Sequence, residues 1–95
     1  MARAQRLPVN EFGFAMCRTT NGKLTNGPVT TGTPMSVQLI ASCPPATKLV
    51  GLFHTHPGGI AYPSQQDVAS ARSKNIDVLC IEDDRQMACY RLRQR

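Results

Sequence analysis

Two histidines, a serine and an aspartate stand at a spacing that suits a metal ion. They are His54, His56, Ser64 and Asp67, and they include both histidines of the 95-residue chain. Side chains two apart in an extended strand point to the same side, so His54 and His56 can face one ion while Thr55 faces away. Asp67 adds a third ligand if the intervening loop folds back. Zinc accepts imidazole and carboxylate ligands, so the pattern predicts one zinc ion with water as fourth ligand.

The loop between the second histidine and the aspartate contains residues that bend and stiffen a chain. Gly58 and Gly59 permit unusual backbone angles, whereas Pro57 restricts the path. Ser64 and Asp67 also match a helix capping box, a role that is compatible with metal binding at the first turn of a helix. Ser64 is a weak ligand. Its hydroxyl beside the metal is instead expected to donate a hydrogen bond to a developing oxyanion.

A hydrolytic zinc site also needs a base that takes a proton from water and passes it to the leaving amine. The motif contains no such group. Four carboxylates lie beyond it, near or within the last hairpin: Asp77, Glu82, Asp83 and Asp84. Glu11 stands alone before the first apolar strand, and an acid at a strand entrance can reach the end of a neighbouring strand. We select Glu11 as the base, with a solvated acid at a strand start as the alternative.

Apolar runs and turn signals predict a single α+β domain over residues 1–95. The predicted strands cover residues 12–19, 23–25, 35–43, 48–53, 76–81 and 87–92, and the predicted helix runs from the cap at Ser64 to about Lys74. One helix must then cover one face of a curved, mainly antiparallel sheet of about six strands. Residues 1–10 carry no periodic pattern and are expected to form a flexible lead-in. The pair Asp83 and Asp84 is expected to be a solvated turn.

The net charge is +5, and much of it lies near the two ends, at Arg3, Arg6, Arg91, Arg93 and Arg95. No aromatic residues are interleaved with these arginines, so we favour a solvated fringe over a nucleic-acid surface or an acidic partner. The sequence has no apolar run long enough for a membrane span and no signal peptide. A cytoplasmic location is therefore expected.

The four cysteines, Cys17, Cys43, Cys80 and Cys89, show no C-x-x-C spacing and are expected to be reduced core thiols in a cytosolic protein. One alternative comes from the last hairpin. If Asp84 and Arg85 form a two-residue turn, Cys80 and Cys89 lie opposite each other and a cross-strand bond becomes geometrically accessible.

The complete pattern resembles the JAMM (MPN-plus) family of zinc metalloproteases. The resemblance rests on Glu11 before an apolar strand, then on H-x-H-x7-S-x-x-D over residues 54–67, with Tyr-Pro-Ser at 62–64. It implies a cytidine-deaminase-like core, zinc held by two histidines and an aspartate, a glutamate that activates water, and a serine that steadies the intermediate. Position by position these are His54, His56, Asp67, Glu11 and Ser64.

The resemblance also implies a substrate class, namely the isopeptide or peptide bond after the C-terminus of a ubiquitin-like or sulfur-carrier protein. Family domains usually begin with a long helix, which ten residues before Glu11 cannot supply. The sheet face left bare is expected to need a homodimer or another partner. The alternatives are a non-proteolytic interaction module and a nucleic-acid role, since bacterial RadC proteins carry a similar pattern.

Overall fold

In a computed structural model of the protein, residues 7–92 are described. They form one helix and six strands in the order β1 (Phe12–Thr19), β2 (Leu24–Asn26), β3 (Thr30–Thr31), β4 (Thr47–Thr55), α1 (Gln65–Ser73), β5 (Val78–Glu82) and β6 (Met87–Arg91). The predicted α+β class is confirmed. No helix among these residues is long and apolar enough to cross a membrane.

The strands form one sheet in the order β2-β1-β4-β5-β6, and β3 pairs with the beginning of β1. Every pairing is antiparallel except that of β4 with β5, which are parallel and are connected through α1. Parallel neighbours need a long crossover, so α1 lies against the sheet between the two strands it joins. This crossover brings the first turn of α1 next to the end of β4.

Turn residues end the elements where the sequence predicts. Gly22 has a φ of 87° in the turn between β1 and β2, a conformation that glycine adopts without steric cost. Asn75 has a φ of 59° directly after the C-cap of α1, which stops the helix. Asp84 and Arg85 form the two-residue turn between β5 and β6, because the backbone N–H of Asp83 donates to the carbonyl of Gln86.

The core lies between α1 and the sheet and is aliphatic. Its buried members are Ala15, Cys17, Leu52, Ala71, Ile76 and Leu79. Alternate residues of a strand point to opposite faces, so each central strand gives one set of side chains to this core and a second set to the opposite face. The helix contributes Ala71, a small side chain that lets the helix approach the sheet closely.

The strand predicted at residues 35–43 is wrong. The segment is irregular, although Leu39, Ala41 and Cys43 pack against the core in the alternating manner of a strand. No hydrogen bond joins the backbone of residues 37–43 to a neighbouring strand among the described residues. The alternation of apolar and polar residues therefore predicts that one side of the segment is buried. It does not predict that the backbone hydrogen-bonds to a neighbouring strand.

The expectation of reduced thiols is also wrong, because all four cysteines are paired. Cys17 on β1 joins Cys43 at the end of the irregular segment, and Cys80 joins Cys89 across the last hairpin. Cys80 and Cys89 are direct cross-strand partners, as the two-residue turn requires. The first pairing needs a tertiary contact that no local pattern specifies.

The predicted lead-in, residues 1–10, lies mostly outside the described residues, as do Arg3, Arg6, Arg93 and Arg95. Residues 7–10 are irregular, with Val9 exposed. The backbone N–H of Leu7 donates to Asp84 Oδ1, which ties the approach to β1 to the last hairpin.

Candidate metal centre

The end of β4 carries the two histidines. His54 is its penultimate residue and is buried, and His56 follows directly after the strand. The backbone N–H of His56 donates to the carbonyl of Glu82, so the chain stays extended along β5 past the end of β4. The two imidazoles therefore lie on one side, with their ring centroids 4.8 Å apart.

Three atoms form a small triangle at this point. His54 Nε2 lies 3.0 Å from His56 Nε2, and Asp67 Oδ2 lies 3.3 Å from each nitrogen. Ligand atoms of a tetrahedral zinc ion are about 3.3–3.5 Å apart, given metal–ligand distances of about 2.0–2.2 Å. The two nitrogens and the oxygen thus have the chemistry and spacing of three ligands around one ion.

A capping box holds Asp67 in position. The Ser64 hydroxyl accepts from the backbone N–H of Asp67 at 3.0 Å, and Asp67 Oδ2 accepts from the backbone N–H of Ser64 at 2.8 Å. Burial by itself would raise the pKa of Asp67. The hydrogen bonds from His54 and from the Ser64 backbone outweigh it and lower the pKa to about 2, so the carboxylate is ionised at neutral pH.

Glu11 reaches the same point from β1. Its backbone N–H donates to the Thr33 carbonyl and its own carbonyl accepts from Gly32, which fixes the residue just before the strand. Gly13 pairs with His54, so Glu11 lies beside the end of β4, and the predicted contact between the first strand and this end is confirmed. One ligand atom from each of Glu11, His54 and His56 can be chosen so that all three lie within 4.8 Å of one another. This group could hold a metal ion.

The environment of Glu11 differs from that of Asp67. Burial raises the pKa of Glu11, and the nearby His56 and His54 only partly oppose it. A carboxyl with a raised pKa is a better proton acceptor from water than an ordinary one, and a stabilised carboxylate such as Asp67 is a weaker one. The two acids at this centre are therefore electrostatically distinct.

The outer nitrogens of the two imidazoles differ as well. His56 Nδ1 lies 2.9 Å from the carbonyl oxygen of Ile60, the kind of contact that orients a ligand histidine. His54 Nδ1 is buried and has no hydrogen-bond partner among the described residues. His54 is instead held by its place in the strand.

The expectation that Asp83 and Asp84 form a solvated turn is wrong for Asp83, and both side chains bind the loop at the site. Asp83 is buried, and its Oδ2 accepts from the backbone N–H of Ala61 at 2.9 Å. Asp84 Oδ2 accepts from Gly58 at 2.9 Å, and the Tyr90 hydroxyl donates to the Ala61 carbonyl. Hydrogen bonds from the Arg85 and Gln86 backbone lower the pKa of Asp83. The last hairpin thus fixes the loop that follows His56.

Thr55 is a second contributor that the sequence did not reveal. It is completely buried, and its hydroxyl oxygen accepts from the backbone N–H of Phe12 at 3.0 Å. This bond joins the end of β4 to the residue next to Glu11. A hydroxyl between two histidines in an extended motif was the available signal, because a buried hydroxyl needs a partner.

The ligand triangle lies in a cleft of about 770 Å³. One wall is the irregular segment from Pro34 to Leu39, and the other is α1 with Gln66, Ser70 and Lys74. Glu11 and Ser64 line the same cleft, so all five residues selected from the sequence meet in it.

A comparison with protein families gives a match over most of the chain. The family of prokaryotic homologues of the JAB domain matches residues 6–93. A comparison with curated proteins and a comparison with solved structures each gave no match. Because the family match spans nearly the whole sequence, the chain belongs to the prokaryotic homologues of the JAB domain.

Proposed function

We propose that the protein is a zinc-dependent hydrolase that cuts the peptide or isopeptide bond after the C-terminus of a ubiquitin-like or sulfur-carrier protein. The observation that carries this proposal is the triangle of His54 Nε2, His56 Nε2 and Asp67 Oδ2, with edges of 3.0–3.3 Å, beside a carboxyl of raised pKa. The JAB family match and the resemblance to JAMM proteases support the substrate class.

The donor set fits zinc. Two imidazole nitrogens and one carboxylate oxygen make the three-ligand arrangement of catalytic zinc, whereas magnesium and calcium prefer all-oxygen sites. Glu11 could replace Asp67 as the carboxylate ligand, since it also lies near both histidines. We assign the ligand role to Asp67, because its oxygen is 3.3 Å from each nitrogen and its charge is stabilised.

His54, His56 and Asp67 would hold the zinc ion, which would supply Lewis acidity and make a bound water nucleophilic near neutral pH. Glu11 accepts the proton of the attacking water and returns it to the amine nitrogen as the amide bond breaks. Its raised pKa suits both steps, because the protonated form is then an accessible acid. Hydrogen bonds from its backbone to residues 32 and 33 keep the carboxyl in place.

Ser64 stabilises the negative charge that forms on the carbonyl oxygen. Its oxygen accepts the Asp67 N–H, and its hydroxyl also contributes a side-chain hydrogen bond to the Asp67 carboxylate. Donation to an oxyanion in the cleft replaces that bond to Asp67. The capping geometry fixes the hydroxyl, so donation requires no rearrangement of the helix.

The cleft suits an extended tail. It runs between α1 and the segment at residues 34–39, and its floor at the metal end includes Leu52 and Leu79. A flexible C-terminal tail can enter such a cleft, whereas a folded domain cannot. The bond to be cut then lies beside Glu11.

The test uses a panel of ubiquitin-like and sulfur-carrier proteins whose C-termini are joined to the lysine of a fluorescent peptide. Cleavage is expected to stop with a chelator and to return with zinc. Glu11→Gln should lose at least about 10²-fold in rate and still bind zinc. Glu82→Gln, a carboxylate outside the cleft, is the matched control.

Two outcomes contradict parts of this proposal. Full activity in Glu11→Gln removes the role given to that residue. Stoichiometric zinc with no cleavage of any conjugate favours the alternative of a non-proteolytic interaction module.

A further inference from the structure

The sheet has a second face, opposite α1, that we call the open face. Strand register assigns to it Phe12, Phe14, Met16 and Arg18 of β1, Lys48, Gly51, Phe53 and Thr55 of β4, Val78, Cys80 and Glu82 of β5, and Met87, Cys89 and Arg91 of β6. Among residues 7–92 no helix covers this face. Met87 is 57% exposed, and Cys89 is exposed beside it.

The open face contains a cavity of about 410 Å³ at the end remote from the metal centre. Met16, Val78 and Cys80 line it, together with Leu24, which is 71% exposed. Gly51 lets Met16 and Val78 pack closely beside the cavity, since a Cβ there would lie 2.5 Å from Met16 Cε and 2.9 Å from the Val78 carbonyl oxygen. The cavity is a depression beside the irregularity of β1 at Met16 and Cys17, with apolar side chains at its centre and polar ones around them.

Basic side chains surround this depression. Arg18 and Arg91 line it, and Arg18 is the direct cross-strand partner of Lys48. Like charges opposite each other on one face of a sheet destabilise it. None of these three side chains forms an ion pair with a carboxylate of residues 7–92. Asp77 also lines the cavity and forms no ion pair with another side chain of residues 7–92.

We propose that the open face is the docking site of a partner protein that presents an amphipathic helix with acidic flanks. One large apolar side chain of that helix fills the cavity above Met16 and Val78. Its carboxylates meet Arg18 and Arg91, which relieves the repulsion between Arg18 and Lys48. A buried apolar anchor with charged neighbours is the usual pattern of an interface hot spot.

Charge decides between an acidic partner and a second copy of the chain. Each copy carries a net charge of +5 and would bring its own Arg18, Lys48 and Arg91 to the interface. An acidic helix neutralises the same groups and steers the encounter. The open face is on the opposite side of the sheet from the metal cleft. A partner can therefore bind to it whether or not the cleft is catalytically active.

The test measures binding of a synthetic, fluorescently labelled helix of about 18 residues, or five turns, with a leucine and phenylalanine stripe flanked by glutamates. A matched peptide carries lysine in place of every glutamate. The acidic peptide is expected to bind the intact chain, and the lysine peptide is not. Arg18→Glu/Arg91→Glu and Leu24→Asp should each weaken binding by about tenfold or more.

Arg72→Glu/Lys74→Glu on α1 is the control, because it changes the net charge equally on the other side of the sheet. Equal weakening by both double variants would mean general charge attraction and would overturn the proposal. So would equal binding of the two peptides, or a dimer in sedimentation that Leu24→Asp dissociates. Circular dichroism of each variant, matched to that of the unchanged chain, shows that the sheet is intact.

Discussion

At the scale of single residues, the capping role of Asp67 and the ligand role proposed for it use the same oxygen. Its Oδ2 accepts from the Ser64 backbone and faces both histidine nitrogens. Capping and ligation are therefore compatible, as the sequence indicated, but they do not depend on the same property. The cap needs a hydrogen-bond acceptor, whereas the metal needs a negative charge.

This distinction can be measured with two substitutions. Asp67→Asn keeps an acceptor for the cap and should lose stoichiometric zinc. Ser64→Ala should retain zinc and lose about 1 kcal/mol of unfolding free energy with the cap. Metal content by mass spectrometry and urea unfolding with a chelator give the two readouts. Zinc bound normally by Asp67→Asn would transfer the ligand role to Glu11.

The ionisation of Asp67 predicts a pH dependence in the metal-free protein. Its pKa is lowered from 3.8 to about 2, so the folded state binds fewer protons than the unfolded chain in that interval. The resulting stability is present above about pH 4 and is lost as the pH falls toward 2. Its size is roughly 2 kcal/mol. Urea unfolding should show that the unfolding free energy falls less between pH 4 and pH 2 for Asp67→Asn than for the unchanged chain.

The ionisation of Glu11 predicts the opposite pH dependence of the unfolding free energy. Burial raises the pKa of Glu11, so the folded state holds the proton more tightly than the unfolded chain does. The free energy of unfolding therefore falls as the pH rises from the unfolded pKa through the higher folded pKa. At neutral pH the buried charge is unfavourable in the metal-free protein. Glu11→Gln should therefore unfold at a higher temperature than the unchanged chain when both contain chelator. A lower Tm at pH 7 and an equal Tm at pH 4 would contradict this.

At the scale of elements, the last hairpin positions the loop after His56 through Asp83. The side chain accepts from three backbone N–H groups, those of Ala61, Arg85 and Gln86. Two adjacent acids in a turn look solvated in a sequence, because exposure is the common state of aspartate. Folding buries Asp83 because the loop brings an unpaired backbone donor to it.

Asp83→Ala is expected to release this loop and to weaken zinc binding by about tenfold, the lower range for residues that orient ligands. The His56 contact with the Ile60 carbonyl lies in the same loop, which provides the route. Competition with a zinc-sensitive dye measures the affinity. Asp77→Ala removes an acid that forms no side-chain hydrogen bond with the loop among the described residues, and it should leave the zinc affinity unchanged. Equal affinities in both variants would show that the loop is held without Asp83.

At the scale of the whole molecule, two disulfides constrain a small domain. The Cys17–Cys43 bond closes 26 residues and the Cys80–Cys89 bond closes 9. From loop-closure entropy, the first contributes about 3.5 kcal/mol and the second about 2.6 kcal/mol. The pairing differs from the reduced thiols expected for a cytosolic protein.

Urea unfolding of the two paired serine variants tests these values. Cys17→Ser/Cys43→Ser should be destabilised more than Cys80→Ser/Cys89→Ser, because it opens the longer loop. Free-thiol titration of the unfolded, unreduced chain should find none. Four free thiols in protein purified without reductant would contradict the pairing.

The sequence by itself determined most of the local elements and the candidate residues of the centre. The strand at 12–19, the helix cap at Ser64 and the turn at Asp84 and Arg85 follow from side-chain periodicity and turn preferences, which act over a few residues. The ligand candidates follow from residue types at fixed spacing. Glu11 also came from the sequence, with the expectation that the first strand passes beside β4.

Tertiary structure decided what depends on residues far apart in the chain. Within the described part of the chain, residues 35–43 form no strand because folding brings no neighbouring strand to them. A partner distant in the chain is also required for the Cys17–Cys43 bond, the burial of Asp83 and the hydrogen bond of Thr55. Burial and hydrogen bonding of such groups depend on the neighbours that arrive, and no local pattern encodes them. The same reason separates the pKa values of Glu11 and Asp67, two carboxylates that a sequence presents as equivalent.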